Sequence, residues 1–229
     1  MHKITIDGFN GTGKTTLAKN LAKQLGYTYV SMGMIFRCVT YEMLKNDISI
    51  TEIDKIQSVI ENMQISLPSN TQKDVYINGQ CVTEEIKEMK YAELCSDISN
   101  NIILQNGVRN IIRQYAETEN TIVDGRDTGR LLFPDADIKF ALTADIETRA
   151  RRRAIELGRP ENSDITDIII KMYEIDKKLI SGNCIPPEDA IKIDTTNLNK
   201  QQIVDICLKE VRRHISDKRY TTYNEEKTL

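Results

Sequence analysis

The 229-residue chain reads as an α/β protein, with a central parallel sheet flanked by helices and a small antiparallel β insertion. Three observations predict this. Short, nearly all-apolar segments recur at residues 3–7, 121–124, 138–143 and 190–194, as expected of parallel strands covered on both faces. Amphipathic helical periods fill the intervals between them. Residues 64–82 break that rhythm: QISL, PSNTQK and DVYINGQCVT follow one another, and Asn78-Gly79 is a hairpin-turn pair.

Taken in order, a first strand at residues 3–7 runs into a helix at 14–25, which carries Leu17, Ala18, Leu21 and Leu25 at helical spacing. A short strand at 27–31 precedes helices at 34–45 and 51–62. The inserted β unit follows, then a long helical stretch over about 83–114. After the strand at 121–124 the pattern alternates: strand 138–143, helices 146–157 and 164–180, strand 190–194, helix 200–214. The polar residues 217–229 are expected to fray. There is no internal repeat and no low-complexity tract.

Gly8 to Thr15 read GFNGTGKT, a full GxxxxGK[ST] pattern placed between the first strand and its helix. In that setting the backbone N–H groups of Gly8, Phe9, Asn10, Gly11, Thr12 and Gly13 converge on one point, where a phosphate chain fits. Lys14 supplies a positive charge for the outer phosphates, Thr15 a hydroxyl for Mg²⁺, and Thr16 extends the helix N-terminus. A flexible glycine turn does not require Lys and Thr after it. A nucleoside triphosphate is the expected ligand.

Composition narrows the rest. Apolar residues make up 40%, enough for a core, and the net charge of −3 gives no argument for nucleic-acid or membrane partners. No run approaches the roughly 20 apolar residues of a membrane span. The five cysteines are scattered, without a CxxC or a Cys/His cluster, and read as reduced packing thiols. The chain enters a strand at once, with no signal-peptide pattern. A cytoplasmic protein is expected.

Three further features separate kinases from switches and motors. Asp124 ends an apolar strand in TIVDGRD, where a carboxylate can approach Mg²⁺ through water, and Arg126 and Asp127 turn into the crevice beyond it. In ETRARRR, Arg149, Arg152 and Arg153 occupy adjoining positions of one helix face, with Arg159 beyond; such a face is either a solvated surface or a lid for a migrating phosphoryl group. Arg37 lies one turn into a helix, placed to fork onto a second phosphate or to face solvent.

Taken together, ITIDGFNGTGKTTLAKNLAKQLGY, GMIFR, INGQCVTEEIK, VDGRDTGRLLFPDADIKFALTA, RARRR and DAIKIDTTNL resemble bacterial cytidylate kinase, over about residues 2–212. The resemblance implies a single nucleoside monophosphate kinase domain of the P-loop class. Its core would be residues 1–62 and 120–214, its NMP-binding region about 63–119, its arginine-rich lid about 149–183. It implies transfer from ATP, with Mg²⁺, to CMP or dCMP by a monomer with small-molecule nucleotide partners. By resemblance Lys14 and Thr15 serve ATP and Mg²⁺, and Arg37 and Arg126 grip the monophosphate. Ser96, Asp127 and Arg109 would read cytosine, Asp176 would accept from the ribose hydroxyls, and Arg152 and Arg153 are lid arginines.

The chain departs from the family pattern at Met32, where a hydroxyl residue is usual, at Lys87, and at Met172, Ile175 and Leu179 around Asp176, where arginines are usual. Lysine does not reproduce a bidentate guanidinium grip. These departures keep two other readings open: a kinase of this fold acting on a modified pyrimidine or specialised-pathway monophosphate, and a nucleotide-binding regulator without transfer.

Overall fold

The computed structural model describes residues 1–67, 74–99, 101–181 and 185–225; for residues 89, 92–93, 96–97 and 216–225 it describes the backbone alone. Five strands form the parallel sheet in the order β2-β6-β1-β7-β8, with β1 at Lys3–Gly8, β2 at Thr28–Ser31, β6 at Thr121–Gly125, β7 at Ile138–Thr143 and β8 at Ile191–Asp194. Ile4 pairs with Ile138 and Phe140 with Ile191 in parallel register. Ile4, Ile6, Ile122, Val123 and Phe140 are wholly buried, which is why these segments carry almost no polar alternation.

The chain divides into two compact units. The first, Leu25–Val123 with Met1, contains α2 (Met32–Lys45), α3 (Ile53–Asn62), α4 (Met89–Ile98) and α5 (Ile102–Thr118). It also holds the antiparallel sheet β3-β4-β5 at Ile65–Ser66, Tyr76–Ile77 and Gln80–Cys81. Asn78 and Gly79 both have positive φ, 50° and 81°, as a two-residue hairpin turn requires. The long helix expected over 83–114 is instead a helical turn at Glu85–Lys87 and two helices. The break falls at Asn101, whose side chain accepts from the N–H groups of Ile103 and Leu104 and starts α5 afresh. Gly107 lets α5 approach α3, since a Cβ there would lie 2.7 Å from Ile60 Cγ2.

The second unit joins His2–Gln24 to Asp124–Leu229. It contains α1 (Lys14–Leu25, through Gln24), α6 (Ile146–Glu156), α7 (Thr166–Ser181) and α8 (Lys200–Glu225). Asp145 caps α6 by accepting from Thr148 N at 2.7 Å. α6 and α7 pack through Ala150, Ala154, Ile165, Ile168 and Met172. The α8 backbone continues to Glu225, past the expected end at His214, and residues 226–229 lie outside the described residues. Among the described residues no helix is long and apolar enough to cross a membrane. Four cysteines there are free thiols; burial pushes Cys38 and Cys207 up to about 12, and Cys184 lies outside the described residues.

Candidate active site

β1 delivers the glycine-rich loop and α1 begins at its far end, so the sequence pattern is realised as strand, loop and helix. Two glycines are dictated by close approach. A Cβ on Gly8 (φ +154°) would lie 2.4 Å from Leu142 O, and one on Gly11 (φ +79°) would lie 2.9 Å from both Arg149 Cβ and Arg149 O. The loop therefore presses against the strand and helix that follow it in the sheet order. Phe9 O accepts from Thr12 Oγ1 at 2.8 Å and from Lys14 Nζ at 2.8 Å. Although Lys14 keeps some surface exposure, its ammonium is withdrawn from water, and burial lowers its pKa to about 8. Asp124 and Asp7 act against that shift, while Arg126 and Arg149 reinforce it.

Thr15 Oγ1 donates to Asp124 Oδ2 at 2.6 Å. A hydroxyl and a carboxylate together at a phosphate loop are hard oxygen donors, few in number. That suits Mg²⁺, which keeps several waters and takes its other ligands from phosphates. Among the described residues no group of three or more His, Cys, Asp or Glu gathers around a metal position.

Asp7, the penultimate residue of β1, was not foreseen. Its buried carboxylate accepts from Thr128 N at 2.8 Å, Thr128 Oγ1 at 2.7 Å and Gly129 N at 2.8 Å. Burial raises its pKa and these bonds oppose the rise. An acid inside an apolar strand next to a phosphate loop is the signal that could have found it.

The arginines sort into two sets. Arg126 Nη2 donates to Asn10 Oδ1 at 3.3 Å. Arg152 donates to Gly11 O at 3.3 Å and to Thr195 Oγ1 and O at 3.0 and 2.6 Å. Arg149 donates to Asn10 O at 3.3 Å and Ala144 O at 3.1 Å, lies over the Phe9 ring, and pairs with Asp176 at 2.7 Å. Arg153 is exposed and pairs with Glu156; Arg151 pairs with Glu147 and Arg159 with Asp167. Helical geometry explains the division: Arg152 and Arg153 are about 100° apart around α6, and only the Arg152 side faces the loop. Thr195, the buried threonine after β8 that receives Arg152, was also missed by the sequence reading.

Among the described residues Lys14, Arg126 and Arg152 have no ion pair; each donates to neutral oxygens at the loop or next to it. The cations turned away from it are neutralised by carboxylates.

The remaining sequence candidates are placed as follows. Arg37 is half-buried on α2 and has no ion pair among the described residues. Arg109 is buried on α5 and donates to Asn106 Oδ1 and Gln105 Oε1 of its own helix. Ser96 lies in α4, and its side chain is outside the described residues. These three belong to the Leu25–Val123 unit, whereas Arg126, Asp127 and Asp176 belong to the loop's unit. Asp176 is buried; Oδ2 pairs with Arg149, and Oδ1 has no hydrogen-bond partner among the described residues. Met172, where the family resemblance leads one to expect an arginine, is 5% exposed and sits in the α6–α7 core as a packing residue. Met32, at the start of α2, is buried as well.

A parallel sheet with a phosphate loop after β1, an Asp-Gly-Arg-Asp turn after β6 and an arginine helix after β7 defines a phosphate-loop kinase. The cytidylate kinase family model matches residues 4–213, and the chain belongs to that family. It is 35% identical to the cytidylate kinase of Caldanaerobacter subterraneus subsp. tengcongensis, covering 93% of this chain and 95% of that one. It is 34% identical to the cytidylate kinase of Desulfitobacterium hafniense, over 90% of each. In fold alone it resembles a gluconokinase from Sinorhizobium meliloti 1021, with a TM-score of 0.51 at 11% identity over 96% of this chain and 97% of the other.

Proposed function

We propose that this protein transfers the γ-phosphoryl group of ATP to CMP and dCMP, giving CDP and dCDP. The observation that carries the reading is the trio Lys14, Arg126 and Arg152, without ion pairs among the described residues, at the phosphate loop of a chain in this family. An anion of high charge is what such an arrangement binds.

The acceptor is a phosphate oxygen already ionised at neutral pH, so no general base is required. Catalysis is then positioning and charge stabilisation. The loop N–H groups of residues 8–13 and Lys14 hold the β- and γ-phosphates. Arg152 stabilises the charge spread over the transferring group; Arg153 joins it only by leaving Glu156, its partner on the side of α6 turned from the loop. Thr15 and Asp124 would hold Mg²⁺, which would supply charge neutralisation for the donor phosphates. Arg126 would orient the acceptor phosphate and Asp127 would read the cytosine edge; Arg37, Ser96 and Arg109, in the Leu25–Val123 unit, keep the roles that the family resemblance assigns them. Asp176 Oδ1, which has no hydrogen-bond partner among the described residues, suits a ribose hydroxyl donor. The departures Met32 and Met172 are packing residues and supply no phosphate contact, so the acceptor series below decides between the ordinary and an altered acceptor. The reading extends to a monomer working in the cytoplasm, and sedimentation tests the oligomeric part.

The decisive experiment is ADP release from ATP and Mg²⁺ across ribo- and deoxy-monophosphates. Turnover with CMP or dCMP well above that with UMP, dTMP, AMP or GMP supports the proposal. ATP binding without turnover on any of them overturns it.

A further inference from the structure

Asp7 makes three hydrogen bonds, all of them to one short turn. Its two carboxylate oxygens take the N–H and hydroxyl of Thr128 and the N–H of Gly129. Thr128 opens the helical turn Thr128–Leu132, so the carboxylate caps, from a different strand, the N-terminus of that turn. Packing is tight on the same spot: a Cβ on Gly129 would lie 2.8 Å from Thr5 Oγ1 and 3.3 Å from Asp7 Oδ2. Asp7, Thr128 and Gly129 are all buried. Asp127 immediately precedes Thr128, and Arg126, one residue earlier, donates to Asn10 of the loop.

A buried carboxylate carries a desolvation cost that a packing residue avoids, and three donors from a single turn offset it here. The arrangement fixes the backbone from which Arg126 and Asp127 project, at the residue directly before the phosphate loop. We infer that Asp7 is a positioning residue for the acceptor nucleotide, holding the Arg126-Asp127 turn in register with the phosphate loop. The inference rests on the reading of Arg126 and Asp127 as acceptor-binding groups.

Asp7→Asn keeps size and shape but sets an amide N–H₂ against one of the turn's donors. Thr128→Val removes a single donor from the other side of the same contact. Steady-state kinetics with CMP and UMP, and calorimetric titration with ATP, are measured on the full chain for both variants and for Asp127→Ala. Asp7→Asn raises KM for CMP about tenfold or more and lowers the preference for CMP over UMP, while the Kd for ATP stays within about threefold. Thr128→Val shifts the same parameters in the same direction by less, and it decides the matter if Asp7→Asn does not fold. A purely structural role would weaken ATP and CMP alike. If Asp127→Ala alters CMP binding while Asp7→Asn and Thr128→Val leave it unchanged, or weaken ATP as much, the inference is overturned. If Asp127→Ala itself leaves KM and base preference untouched, the underlying assignment of the turn fails instead.

Discussion

Arg149 Nη2 meets Asp176 Oδ2 at 2.7 Å and ties α6 to α7, with both side chains nearly withdrawn from water. The same guanidinium reaches Asn10 O of the phosphate loop. One residue thus connects the loop, the arginine helix and the helix that carries Asp176.

Breaking such a pair leaves an uncompensated buried charge, whereas replacing both partners by apolar residues does not. Asp176→Ala therefore lowers unfolding stability by about 3–5 kcal/mol in denaturant titrations. Arg149→Met combined with Asp176→Leu recovers most of that loss without restoring phosphoryl transfer. A double variant as unstable as Asp176→Ala would show that the pair contributes net stability.

Lys14→Ala removes turnover and leaves the circular dichroism spectrum and cooperative unfolding unchanged. The pH dependence follows from the pKa of about 8. Only protonated Lys14 attracts phosphate, so kcat/KM for ATP, which reports the free enzyme, falls as pH rises through about 8. Stability moves the other way. Between about pH 8 and 10.5 the unfolded chain holds the lysine proton that the folded chain has released, so stability rises with pH in that window. A kcat/KM flat to pH 10 would refute the assignment.

Chelation of divalent ions abolishes turnover. Asp124→Asn raises the Mg²⁺ concentration needed for half-maximal rate by about tenfold, a difference of 1.4 kcal/mol in ion binding. An unchanged Mg²⁺ profile in that variant would remove Asp124 from the metal site.

Met172→Ala opens a cavity in the α6–α7 core and costs about 2–5 kcal/mol, measured by denaturant unfolding. A loss under about 1 kcal/mol would mean that this cluster collapses around the gap.

The sheet, the loop and the Asn78-Gly79 turn were legible because each rests on local chemistry: β-branched runs, glycine at positive φ, a Lys-Thr pair at a helix start. The break at Asn101 was not, because apolar periodicity continues across it while a single side chain caps the new helix. Arg149, Arg152 and Arg153 were recognisable as a group, but which of them faces the loop depends on the direction from which the loop packs against α6. Asp7 and Thr195 escaped notice because their partners lie 121 and 43 residues away. The roles of Arg37, Ser96 and Arg109 come from resemblance, and the kinetics of their variants will decide them.

Among the described residues Lys14, Arg126 and Arg152 meet the phosphate loop without an ion pair, and the repulsion of Lys14 by Arg126, which Asp124 and Asp7 oppose, is a cost to the folded chain. Binding of a polyanion to the folded form alone relieves it, adding about 2.7 kcal/mol at a hundredfold excess over Kd. Resistance to unfolding and to proteolysis is then expected to rise with the concentration of bound nucleotide.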